Sequence, residues 1–163
     1  MKRIIVRSIS LLLMLFITGC GVLGVEDDHG HEHGDLPYEW SGELDLAPGT
    51  YEMVFQESRD PSVNVAFVLS DGTVEDVEHH AHHILESEKE GINPEDTFYA
   101  FPDYGYTLVL NPDRTTFTFV IEEGGRYLVF TEHLPEEFDL VFYNEAGDEL
   151  VPENQQEYEE DDQ

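Results

Sequence analysis

The sequence predicts an all-β domain, an antiparallel β-sandwich interrupted by one short histidine-bearing helix. Apolar and polar residues alternate with period two through most of residues 37–151, as in strands that bury one face. Turn-forming clusters separate the alternating runs at short intervals: Ala47-Pro48-Gly49, Arg59-Asp60-Pro61, Asn111-Pro112-Asp113, Gly124-Gly125 and Ala146-Gly147-Asp148. Many short strands with regular turns form sandwiches or barrels. One stretch alone, from Val74 to about Glu88, abandons the alternation for helical spacing.

The predicted strands follow in chain order. Tyr51, Met53 and Phe55 share one face, as do Val63, Val65 and Phe67. Tyr106, Leu108 and Leu110 come next, then Phe117, Phe119 and Ile121, then Tyr127 with Val129, and last Phe138, Leu140 and Phe142. A span of this length is enough for one domain with its own core. The Gly-x-Tyr starts at Gly49 and Gly125 look alike but are too short to mark a duplication. Trp40 and the pairs Phe117/Phe119 and Phe98/Phe101 read as core or edge packing rather than as a ligand platform.

For the helix, Thr73 is the expected N-cap with Asp76 three residues on, and Gly91 with Pro94 ends the run. At about 100° per residue Val74, Val77, Ala81, Ile84 and Leu85 gather on one side. His79, His82 and His83 fall opposite, with Glu75, Asp76 and Glu86 alongside and His80 at the edge. Spacings of three and four residues bring side chains within reach of one ion, so His79/His83 and His79/His82 can chelate. A solvated polar face is the plainer reading of such a helix. Four histidines in five positions, beside carboxylates, favour metal.

Histidine is also concentrated elsewhere. Of eight in the chain, His29, His31 and His33 lie in Asp28-His29-Gly30-His31-Glu32-His33, where glycine spacing holds no fixed geometry but permits loose ion capture. The eighth, His133, follows a predicted strand. With Glu132 it is expected to face the helix and complete a site, since strand ends of a rigid sandwich are places where sites are built. The candidate metal ligands are therefore His79, His80, His82, His83, His133, Glu132, Glu86, His29, His31 and His33. Nitrogen and oxygen donors without thiolate suit zinc first, then nickel, cobalt or copper(II). Neutral imidazole is the ligating form, so affinity is expected to fall as pH drops through the ordinary histidine range near about 6.5.

The N-terminus reads as a targeting segment. Residues 1–19 combine a basic start, an apolar core from Ile9 to Ile17 and small residues before Cys20, the only cysteine. That is a secretory signal, too short to span a membrane. Ile17-Thr18-Gly19-Cys20 resembles the bacterial lipobox, which implies cleavage before Cys20 and a diacylglyceryl group on its thiol. Each buried methylene adds about 0.8 kcal/mol of membrane affinity and two chains anchor stably. The expected location is the extracytoplasmic face of a bacterial cell membrane, with residues 20–36 as a flexible histidine-rich linker.

Removal of residues 1–19 leaves Arg59, Lys89, Arg114 and Arg126 against 37 acids, a mature charge of 4 − 37 = −33. Such a chain has no basic patch for phosphates, which excludes nucleic acid as a partner. The acids are spread along the chain, as on the surface of a protein exposed to salty or alkaline surroundings. Residues 152–163 read as an acidic, disordered tail.

Several stretches together, His29-Gly30-His31-Glu32-His33, PYEWSGELDLAPGTY from Pro37, HHAHH from His79 and YLVFTEHLPEEFDL from Tyr127, carry a likeness. The chain resembles small histidine-rich extracytoplasmic bacterial lipoproteins associated with transition-metal handling. The last stretch is also similar to the closing hairpin of copper-resistance-type and cobalt-transport-associated periplasmic sandwiches, which implies a cupredoxin-like topology. A blue-copper centre is not expected, because Cys20 is committed to lipid and no other ligand thiolate exists.

The expected function is capture, buffering or delivery of a divalent transition metal, with a membrane transporter as partner. The competing reading is a non-catalytic sandwich module for ligand binding or adhesion, in which the histidines are incidental. An enzyme is not expected: there is no H-E-x-x-H, no nucleophile elbow and no free cysteine. A metal-dependent hydrolase stays open as a class.

Overall fold

The computed structural model describes residues 36–158. They form two sheets packed face to face, a sandwich-like, mostly β arrangement with one short helix. The six-stranded sheet contains β1 (Trp40–Leu46), β3 (Ser62–Leu69), β4 (Glu90–Ile92), β6 (Tyr104–Val109), β8 (Gly125–Thr131) and β11 (Glu153–Glu157), in the order β11-β1-β8-β3-β6-β4. The five-stranded sheet contains β2 (Gly49–Phe55), β5 (Thr97–Tyr99), β7 (Thr115–Ile121), β9 (Val141–Asn144) and β10 (Glu149–Leu150), in the order β10-β9-β2-β7-β5. The helix α1 spans Val77–Glu86.

The expected antiparallel pairing holds for most neighbours, such as β1 with β8 and β2 with β7. It fails at two edges, where β4 pairs parallel to β6 and β5 parallel to β7. Both edge strands are only three residues long. Each lies in the connection between α1 and β6, a crossover long enough to bring a strand back in the parallel sense.

Period-two alternation builds the core between the sheets. Val63, Val65 and Phe67 of β3 meet Met53, Phe55, Phe117, Phe119 and Phe142 from the other sheet, all buried. Phe67 sits at the centre of an aromatic cluster, with ring centroids 6.3 Å from Phe98, 6.1 Å from Tyr106 and 5.5 Å from Phe119. Trp40 and Phe98 are core residues, as their composition suggested. Phe101 is not: it is 47% exposed and stacks on Tyr99.

The intervening residues of β3 and β8 are buried too, but on the opposite face. Ala66, Val68 and Phe130 form a second, smaller cluster with Tyr38, Ala81 and Leu85 beneath α1. Central strands covered on both faces read as nearly continuous apolar runs, which is what Val65-Ala66-Phe67-Val68-Leu69 shows. Gly105 in β6 lets the helix approach. A Cβ there would lie 3.0 Å from Ile84 Cγ2 and 3.2 Å from Lys89 Cγ.

Three boundaries differ from the sequence reading. The helix starts at Val77 because Asp76, not Thr73, caps it: the Asp76 carboxylate accepts from the His79 N–H at 3.0 Å. It stops at Glu86, where the Ser87 N–H returns to the carbonyls of His83 and Ile84. The last apolar run splits, since Pro135–Glu137 forms a 3-10 turn and β9 begins only at Val141.

The segment read as a disordered acidic tail is ordered over Glu153–Glu157, where β11 pairs antiparallel with β1. Backbone pairing organises a strand with no apolar residue of its own, and Tyr158 secures its end. The Tyr158 ring packs edge-on to Tyr38 at 4.9 Å, and its hydroxyl lies 3.1 Å from Ser41 Oγ and donates to Glu78 Oε1 at 3.2 Å. Burial pushes the Tyr158 phenol up to about 12. Residues 1–35, with the signal, Cys20 and the first three histidines, and residues 159–163 lie outside the described residues.

Candidate metal centre

The helix presents its histidines as the spacing predicts. Ala81 and Leu85 are buried against the sheet, with Val77 and Ile84 packed beside them, which leaves His79 and His83 on the exposed side. One turn apart, these two rings turn toward each other. Their Nε2 atoms are 3.0 Å apart and the ring planes stand at 77°. Without an ion this distance fits one hydrogen bond, whose direction depends on the tautomers. With an ion about 2.0–2.1 Å from each nitrogen, the same 3.0 Å separation corresponds to a ligand–metal–ligand angle of roughly 90–100°.

The other two helix histidines point to carboxylates. His82 Nε2 lies 3.2 Å from Glu86 Oε2, one turn on. His80 Nε2 lies 3.4 Å from Asp103 Oδ1 across the gap to the turn before β6, off the line of a hydrogen bond, and that nitrogen is itself buried. The four predicted ligands therefore divide into a facing pair and two separate imidazole–carboxylate contacts. Glu75 and Asp76 precede the helix, and Asp76 is engaged as its cap.

His133 does not join the helix. Glu132 and His133 follow β8 in a bend, and their side chains take different partners. Glu132 Oε2 accepts from the Asn64 N–H at 2.9 Å and ties the end of β8 to the start of β3. His133 turns instead to Glu39 and Glu137. One ligand atom from each of these three residues lies within 4.8 Å of the others, a group that could hold a metal ion. Among the described residues it is the one cluster of three or more such donors.

Neither Glu39 nor Glu137 was singled out from the sequence, although both sit in stretches that were: Glu39 in PYEW and Glu137 in PEEF. Only the fold brings them together, because β1 pairs with β8 along its whole length, Trp40 opposite Thr131. Elsewhere, a groove of about 320 Å³ opens at the edge of the sandwich between Trp40, Pro135, Phe142, Leu150 and Pro152. No helix among the described residues is long and apolar enough to cross a membrane.

Comparisons with protein-family models, with curated proteins and with solved structures find no match to the chain. The side chains themselves must therefore carry the functional argument.

Proposed function

We propose that the protein binds a divalent transition metal at the extracytoplasmic face of a bacterial membrane, held there by a lipid on Cys20, for capture, buffering or delivery to a transporter. The observation that carries this reading is the facing pair His79/His83, with Nε2 atoms 3.0 Å apart on a helix fixed by its buried opposite face. Preorganisation matters because the imidazoles need lose little freedom on binding. Zinc is the first candidate, then nickel, cobalt or copper(II), since the donors are nitrogen and oxygen. The mechanism is coordination without turnover. A cupredoxin-like topology belongs to the same reading, supported by the two facing sheets and by the likeness of the Tyr127–Leu140 stretch to metal-handling sandwiches.

Elemental analysis of the full chain purified without an affinity tag, followed by a calorimetric zinc titration of the stripped protein, tests the proposal. Bound transition metal and saturable uptake are expected. A protein that carries no metal and takes up none would return the histidines to a solvated helix face.

A further inference from the structure

We infer that Glu39, His133 and Glu137 form a second cation site, independent of the helix pair, that takes a divalent ion of the manganese-to-zinc series through one imidazole and two carboxylates.

Its donors come from two distant parts of the chain, Glu39 before β1 and His133 with Glu137 after β8, yet each stands on backbone that is held in place. Glu39 is gripped from both sides: its N–H donates to the Thr131 carbonyl at 3.0 Å, and its carbonyl accepts from the Tyr158 N–H at 2.8 Å. The loop carrying His133 is held by the Thr131 hydroxyl, which donates to the His133 carbonyl at 2.6 Å. The His133 ring lies 6.0 Å from that of the buried Phe138. Glu137 closes the 3-10 turn, with its N–H on the Leu134 carbonyl at 3.1 Å.

Charge supplies the second argument. Two carboxylates converge on one imidazole, with His133 Nδ1 3.8 Å from Glu39 Oε2. Among the described residues neither glutamate is ion-paired with a lysine or arginine, whereas Arg126 is engaged by Glu43 and Asp45. A dication would neutralise the mutual repulsion of the two carboxylates. Metal–ligand bonds of about 2.0–2.2 Å would draw the donors together by at most about 2 Å, within the reach of a glutamate changing rotamer. Because carboxylate favours harder ions and imidazole borderline ones, the mixed set fits manganese, cobalt or zinc.

The test is a zinc titration of the full chain by calorimetry, with amide shifts followed by NMR, in the parent, in His79→Ala/His83→Ala and in His133→Ala/Glu137→Gln. Glu137 is exposed, so Glu137→Gln alone serves as a variant that leaves the fold intact. The helix variant is expected to keep one zinc, with shifts confined to Glu39 and residues 132–138. The His133/Glu137 variant is expected to lose that zinc, and Glu137→Gln alone to weaken it about tenfold or more. The inference is overturned if the helix variant binds no zinc, or if the His133/Glu137 variant keeps the parent's stoichiometry and shifts. Since the helix variant lacks the pair on which the proposed function rests, its retained zinc separates this site's fate from that reading's.

Discussion

Across one turn of helix, His79 and His83 hold their Nε2 atoms 3.0 Å apart, although each ring is attached to backbone that runs through solvent-facing positions. The buried side of the same helix, Ala81 and Leu85, fixes this orientation.

Removing both rings should therefore weaken transition-metal binding more than removing the glycine-spaced histidines. His79→Ala/His83→Ala is expected to lower affinity at the helix by at least about tenfold, or about 1.4 kcal/mol, while deletion of residues 29–33 costs less. Binding should also weaken on acidification, since protonated imidazole does not ligate. Calorimetric titration of both variants decides the order, and equal affinity in the helix variant and the parent would take the function away from the helix pair.

Anchoring is tested separately. Cys20→Ser should abolish incorporation of labelled fatty acid and release the protein from the membrane fraction. A parent chain that takes up no label would refute the lipoprotein reading.

The aromatic cluster predicts a large core penalty. Phe67 is fully buried and touches rings from three other elements, so Phe67→Ala is expected to cost about 3–5 kcal/mol. Urea unfolding measures it, and a loss under about 1 kcal/mol would contradict the packing described.

Alkaline conditions should destabilise the fold through its buried phenols. Burial pushes both Tyr106 and Tyr158 up to about 12, and raises Tyr38 and Tyr127 as well. In the unfolded chain tyrosine ionises near about 10. Between these values the native state binds more protons than the unfolded one, so stability falls as pH rises. Their contribution is complete below about 10 and is lost as pH climbs through about 12. Tyr106→Phe should flatten that slope in denaturant melts taken on both sides of about pH 10; an unchanged slope would assign the alkaline loss to other groups.

The Tyr158 hydroxyl reaches Glu78 in the first turn of α1 and lies against Ser41 of β1. Tyr158→Phe is expected to cost about 0.5–1.5 kcal/mol and to leave the sheets intact. Thermal melts with circular dichroism check both statements.

Where burial alternates with period two, the sequence was legible: Val63, Val65 and Phe67, or Phe117, Phe119 and Ile121, could hardly face anywhere but the core. The helix was legible from its apolar stripe, but both its ends were misplaced: Thr73 and Asp76 are both competent caps and the choice depends on where packing begins, and the chain leaves the helix at Ser87, ahead of the Gly91 and Pro94 stop signals. β11 was hidden because Glu-Asn-Gln-Gln-Glu offers no hydrophobic signal; its partner is the backbone of β1. The His133 cluster was hidden for a different reason. Its imidazole was visible, but Glu39 becomes a neighbour of His133 and Glu137 only through the long-range β1–β8 pairing, which leaves no local mark.

β11 is the outermost strand of its sheet, and all five of its side chains are exposed, with glutamate at each end. An open strand edge is a template on which another chain can add itself. Here, two copies meeting edge to edge in antiparallel register would set Glu153 of one against Glu157 of the other, carboxylate facing carboxylate. Like charges placed opposite one another disfavour such pairing. The glutamates at the ends of β11 thus disfavour extension of the sheet by a second copy along this edge.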